Sequence, residues 1–174
     1  MDPDLLIAER TERDRFFAAD YASPIPDEHL TAFTGIAYYP PDPSWEIEAR
    51  YEAADPHKVP IPSTSGAESP YTMLGAAVLD VDGRTYRLAV LDDGDGGAFI
   101  PFRDGTSGTA TYGGGRYVPI TPSENASVTV DFNRAVNPYC VYDEEFVCPL
   151  PPATNWIATP IEAGEKMYEP PVGG

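Results

Sequence analysis

Two apolar runs, Thr72–Val81 and Arg84–Leu91, are separated only by Asp82-Gly83. A two-residue hairpin turn needs positive φ at both central positions, and Asp-Gly supplies that more readily than almost any other pair. The centre of the chain is therefore expected to be an antiparallel hairpin, and any fold must be built around it. Upstream, Trp45, Ile47, Ala49 and Tyr51 alternate with Glu46, Glu48 and Arg50. That period of two predicts a strand over Trp45–Tyr51 with one buried and one wet face. Further strands are expected at Gly35–Tyr39, Ala98–Phe102, Thr109–Val118, Ser127–Phe132 and Trp156–Ile161. Lys58–Pro62 reads as a short extended piece, which its prolines confine to an edge or an irregular segment. Ahead of all these, residues 3–19 read as a helix. Asp2 is placed to cap it and Pro3 suits its first position. Glu9–Arg13 and Arg10–Asp14 stand at helical spacing, and Leu5, Leu6, Phe16 and Phe17 give it apolar ends. A short helical turn is expected near Asp27–Ala32.

The pattern predicts an all-β fold: an antiparallel sandwich or partly open barrel of about eight strands, with one N-terminal helix. At 174 residues the chain suits one domain. Residues 1–22 are expected to form a helical segment packed on the domain, 23–168 the domain itself, and 169–174 a flexible tail.

Charge narrows the function. There are 28 Asp and Glu against 11 Lys and Arg, a net charge of −17, and the only lysines are Lys58 and Lys166. Acid spread along the chain with depleted lysine points to a salt-rich cytoplasm, where ions screen the self-repulsion. Such a chain repels nucleic-acid backbones and anionic membranes, so neither is expected as a partner. No apolar run approaches the roughly 20 residues needed to span a bilayer. The start, Met-Asp-Pro-Asp, has neither a basic nor an apolar signal region, so cytoplasmic residence is the expectation. The oligomeric state is left open.

Cys140 and Cys148 have three readings: free thiols in a reducing compartment, a local disulfide across a proline-bounded loop, or half of a metal site. The last needs two more ligands, and the histidines, His29 and His57, are far away in sequence. Asp92, Asp93 and Asp95 lack the spacing of a calcium loop. No metal or cofactor is expected. Asn125-Ala126-Ser127 matches a glycosylation sequon, which carries no weight without export.

Chemistry-bearing residues gather between Phe99 and Lys166. With Thr109–Val118 as a strand, Tyr112, Gly114 and Arg116 share one face, and Gly113, Gly114 and Gly115 leave it bare. Bare backbone marks the approach of another segment or of a ligand. If the next strand pairs with this one, Asp131 and Asn133 join the same surface and Arg116–Asp131 becomes an ion pair. Arg103, Arg116, Arg134 and Lys166 are four of the eleven basic residues. They either neutralise acids within the fold or prepare a site for a carboxylate or phosphate. The expected ligand is a small anionic or polar molecule, held by Arg103, Asp104, Ser107, Tyr112, Arg116, Asp131, Asn133, Arg134, Glu165 and Lys166. Two alternatives stand beside it. One is a hydrolase using Asp104 and Asp131, or Cys140 as nucleophile; Ser107 has no histidine nearby to make a triad. The other is a structural or interaction protein whose motifs close the fold.

The blocks Phe102-Arg103-Asp104-Gly105-Thr106-Ser107-Gly108, Thr111-Tyr112-Gly113-Gly114-Gly115-Arg116-Tyr117, Asp131-Phe132-Asn133-Arg134-Ala135 and Asn137-Pro138 resemble domain-of-unknown-function family 1684. So do Cys140, Cys148-Pro149-Leu150-Pro151-Pro152, Asn155 and Ala163-Gly164-Glu165-Lys166. The resemblance runs from about Gly35 to Tyr168. It implies no established activity, substrate or cofactor. It implies that these blocks belong together.

Overall fold

The computed structural model describes residues 1–122 and 126–171. The Asn125 sequon position and the last three residues of the expected tail lie outside the described residues.

Helix α1 covers Pro3–Ala19, and the Asp2 carboxylate accepts from the Asp4 and Leu5 amides. Helix α2 is a single turn, Asp27–Leu30. Six strands follow: β1 Glu46–Pro62, β2 Glu68–Val81, β3 Arg84–Asp92, β4 Ala98–Phe102, β5 Arg116–Ile120 and β6 Ser127–Asp131. They form one antiparallel sheet in the order β5-β4-β3-β2-β1-β6. The sheet curls into a half-barrel, so that the two strands at its ends approach each other.

The central hairpin forms in the expected register. Val81 pairs with Arg84, and Asp82 and Gly83 both take left-handed φ, 51° and 73°. The strand count falls from about eight to six for three physical reasons. The Trp45–Tyr51 and Lys58–Pro62 pieces are one continuous strand, β1, interrupted by a register shift between Ala53 and His57 that absorbs the intervening polar residues. Gly35–Tyr39 and Trp156–Ile161 form no ladder and contribute only isolated β-bridges, Tyr38 to Glu165 and Arg103 to Trp156. Thr109–Gly115 is a chain of turns, and only Arg116 onward is strand.

The interior of the curl is apolar: Leu79, Leu88, Val90, Ile100, Phe102, Val118, Val130 and Phe132 are all buried. Ile157, Ile161 and Ala163, from the irregular C-terminal segment, complete the same cluster. A second cluster, Phe17, Ile25, Ile36 and Tyr142, joins α1 to the domain. Phe17 and Tyr142 meet edge to face at 5.0 Å.

β3 and β4 pair only at Leu91–Phe99 and Asp92–Ala98 before they diverge. Asn155 fills the gap that opens. Its Oδ1 accepts from the Ala89 amide at 2.8 Å, and its Nδ2 donates to the Ala89 and Pro101 carbonyls at 3.0 and 2.8 Å. One buried amide thus replaces the missing rungs of a ladder. Removing it strands three buried backbone groups, each costing about 1–3 kcal/mol unpaired. Asn155→Ala is expected to lower unfolding stability by about 3 kcal/mol or more, read as a lower urea midpoint at unchanged m-value.

Candidate functional site

Arg116, the first residue of β5, is fully buried. Its Nη1 donates to the carbonyls of Ala163 and Glu165, and its Nη2 to the Ile161 carbonyl at 3.0 Å and to Asp104 Oδ1 at 3.3 Å. The guanidinium also lies over the Phe102 ring, 5.1 Å from its centroid. Burial pulls the Arg116 pKa down and the Asp104 carboxylate opposes that. Asp104 is held in turn by the Ile161 amide at 2.6 Å, the Thr106 amide at 3.1 Å and the Thr106 hydroxyl at 2.8 Å. The Thr106 hydroxyl meets that of Thr111 at 2.8 Å.

The three carbonyls reach one guanidinium because Gly164 turns the chain with φ 75°. A side chain there would put its Cβ 2.6 Å from the Ala135 carbonyl and 2.8 Å from that of Phe132.

Glu165 is also fully buried, on the side facing α1. Its Oε1 accepts from Arg13 Nε at 2.6 Å, and its Oε2 from the Asn137 amide at 2.6 Å and the Tyr142 hydroxyl at 3.0 Å. Burial pushes its carboxyl above the ordinary range, against the pull of Arg13.

Asp131, Asn133 and Arg134 form a third group at the end of β6. The Asn133 side chain clasps the Asp42 backbone, accepting from its amide at 2.9 Å and donating to its carbonyl at 2.8 Å. Asp131 accepts from the Asn133 amide and side chain, and pairs with Arg134 Nε at 3.4 Å. Arg134 also pairs with Glu9 of α1.

Arg103 and Lys166 are different. Each is half-buried and lies over an aromatic ring, Arg103 4.7 Å from the Trp156 centroid and Lys166 4.7 Å from that of Tyr39. Arg103 lines a depression of about 330 Å³ together with Asp104, Gly105, Ser107, Trp156, Ile157 and Ala158. The Ser107 hydroxyl accepts from the Asp104 amide at 3.1 Å. Lys166 lines a separate open groove with Tyr39, Thr109 and Ala110.

The ten residues therefore do not make one polar surface. The expected Arg116–Asp131 ion pair does not form: β5 and β6 do not pair in the sheet, and Arg116 is bound to Asp104 and Asp131 to Arg134. Tyr112 lies in a turn and does not share a strand face with Arg116. Its hydroxyl accepts from the Cys140 thiol at 3.9 Å, and burial pushes its pKa up to about 12. Of the bared glycines, Gly115 is covered by the chain itself, whereas Gly113 and Gly114 stay partly exposed. Gly115, at φ 93°, has the Phe102 carbonyl and the Pro151 ring where a side chain would stand.

The hydrolase residues are equally engaged. Asp104 and Asp131 spend their oxygens on the contacts above. Cys140 and Cys148 are free thiols. The Cys140 amide donates to Cys148 Sγ at 3.4 Å. Of the two thiols, hydrogen bonding to Cys140 draws Cys148 down, while the Cys148 partner and burial raise Cys140. The nucleophile suggested at Cys140 is thus the less acidic of the pair. Among the described residues no three His, Cys, Asp or Glu side chains gather as a metal site. Among the described residues, too, no helix is long and apolar enough to cross a membrane.

Sequence reasoning missed Arg10 and Arg13. Both were assigned intrahelical partners, yet Arg10 donates to the Tyr39 and Asn133 carbonyls and Arg13 to Glu165. Their spacing, three apart on one helix face in a chain poor in cations, was the available signal.

The fold and its buried polar locks define a class: an antiparallel half-barrel closed by side chains. The chain belongs to the family described as "Protein of unknown function (DUF1684)", whose model matches residues 31–166. It is similar to the solution NMR structure of an uncharacterized protein from gene locus rrnAC0354 of Haloarcula marismortui. The two are 38% identical over 94% of this chain and 92% of that one, with a TM-score of 0.74. None of the curated proteins matches.

Breaking a buried pair from one side typically costs about 3–5 kcal/mol. Arg116→Ala and Asp104→Ala are each expected to lose that much in chemical denaturation. An Arg116→Met/Asp104→Leu double variant is expected to lose less than the two single losses summed, since no uncompensated charge then remains.

Proposed function

We propose that this is a salt-adapted cytoplasmic binding protein for a small anionic molecule, and that the ligand lies on the Arg103–Trp156 shelf. One observation carries the reading. Among the described residues the Arg103 guanidinium makes no hydrogen bond or ion pair, only its stack on Trp156. Arg116 and Arg134, by contrast, are spent on the fold. Trp156 remains 52% exposed, so an indole face is offered to whatever the guanidinium binds. A planar guanidinium presents a fork to a carboxylate or phosphate. The stack holds that fork in place, which reduces the entropy lost on binding. Asp104, on the rim of the depression, carries its charge next to Arg116 and so repels an incoming anion less.

The chemistry favours a carboxylate or phosphate attached to a planar or apolar group that can lie against Trp156. The remaining surface, at net −17, argues against nucleic acid or an anionic membrane as partner.

A thermal-shift panel of aromatic carboxylates and small phosphate esters in molar KCl tests this. A ligand at a hundred times its Kd should add about 2.7 kcal/mol of stability. That gain is expected to disappear in Arg103→Ala and to shrink in Trp156→Ala. If no compound separates wild type from Arg103→Ala, the reading falls.

Salt adaptation has its own test. Screening of net −17 predicts that Tm climbs steeply between 0.1 and 1 M KCl, on the order of the Debye length falling from about 10 to 3 Å. A Tm that stays flat over that range would remove salt adaptation from the proposal.

A further inference from the structure

A second cavity, of about 170 Å³, lies between α1 and the domain. Arg10 and Arg13 line it from the helix, and Tyr38, Arg134 and Val136 from the domain. Three of its lining residues carry a buried donor without a partner: Arg10 Nε, Arg13 Nη2 and the Tyr38 hydroxyl. Buried donors are almost always satisfied, so three orphans around one space describe an occupant.

The chemistry of the occupant follows from two counts. The first is of protons. The lining offers orphan donors, and its one orphan atom with lone pairs is the Tyr38 oxygen. An occupant that only accepts satisfies all three, whereas a water brings two hydrogens that themselves need acceptors. The nearby acceptors already carry hydrogen bonds: Glu165 three, and the Tyr39 and Asn133 carbonyls one each from Arg10. Glu9, which also lines the cavity, is paired through Oε2 with Arg134.

The second count is of charge. Arg13 is paired with Glu165, and Arg134 with Glu9 and Asp131. Arg10 has only the two carbonyls and the face of the Tyr38 ring, 4.4 Å away. The three arginines are matched in number by Glu165, Glu9 and Asp131, but none of these carboxylates contacts Arg10, whose pKa burial pulls down.

We propose that this cavity binds one small monovalent anion, a halide or a carboxylate of a few atoms, clamped by Arg10, Arg13 and Tyr38. Apolar walls such as Leu6 and Val136 favour a weakly hydrated ion. Because two of the three donors belong to α1 and the third to the domain, the anion fastens the helix to the half-barrel. The site is independent of the Arg103 shelf.

The test holds potassium at 1 M with gluconate, a bulky and strongly hydrated polyhydroxy anion, and replaces gluconate stepwise by chloride, bromide or formate. Tm of the whole protein is expected to rise and then saturate for the small anions at constant ionic strength. Crystals grown with bromide are expected to show an anomalous peak within hydrogen-bonding reach of Arg10 Nε and the Tyr38 oxygen. Arg10→Met should abolish the saturable rise. Tyr38→Phe keeps the ring under Arg10, so the fold is retained, and should weaken the apparent anion affinity about tenfold. Arg103→Ala should keep the full response, which separates this site from the proposed ligand shelf. Identical behaviour in chloride and gluconate overturns the proposal. So does a saturable rise that survives in both Arg10→Met and Tyr38→Phe, or bromide density without saturation, an adventitious ion only.

Discussion

Everything on the open side of the half-barrel depends on one buried guanidinium. Between Ala135 and Tyr168 the described chain contains no strand, so its carbonyls have no ladder to join. Arg116 takes up three of them, from Ile161, Ala163 and Glu165, and binds them to β5. Asp104 supplies the charge that makes such a burial tolerable and ties the same segment down through the Ile161 amide. An uncompensated buried cation would cost several kcal/mol, and a neutral donor could not serve three carbonyls and a carboxylate at once. The pair is therefore a fold element, replacing a missing strand with four hydrogen bonds and one counter-charge.

The same logic recurs around the molecule. Asn155 stands in for rungs where β3 and β4 part. Asn133 binds the Asp42 turn through both its side-chain atoms. Glu165 gathers an arginine, an amide and a tyrosine hydroxyl from three separate segments. Prolines at 138, 149, 151 and 152 remove amide donors from this region and disfavour a regular sheet. Side-chain amides and charges then satisfy the backbone groups that remain. This is why a stretch dense in chemistry-bearing residues does not have to be an active site. Most of those residues are already at work holding irregular backbone, and what they leave over, Arg103 and Lys166, is the part free to meet another molecule.

Local signals were legible and long-range ones were not. The α1 boundaries followed from Asp2 and Pro3, the central hairpin from Asp82-Gly83, and the face of β1 from strict alternation. Each depends on residues within a few positions of one another. The error at Thr109–Val118 came from counting alternation through three glycines, which carry no side chain to report a face. The Arg116–Asp131 pairing failed because it assumed that strands adjacent in sequence hydrogen-bond to each other. Here β6 crosses to the far edge of the sheet and pairs with β1. Asp104, Arg116 and Glu165 were singled out as ligand-site residues, but the sequence does not separate a buried lock from a ligand site. That distinction lies in burial, and burial depends on how the C-terminal segment folds back.

The distribution of the cations gives the acidity of the chain a structural meaning. With eleven basic residues against 28 acidic ones, most of the acids have no counter-ion within the chain. Arg10, Arg13 and Arg116 are drawn at least partly inside, where salt screens weakly, while the exposed acids repel one another at distances that salt screens well. Rising ionic strength should therefore relieve the repulsion between surface acids and leave the interior pairs nearly intact. On the salt-adapted reading proposed above, salt would add stability without loosening the contacts that hold α1 and the C-terminal segment to the sheet.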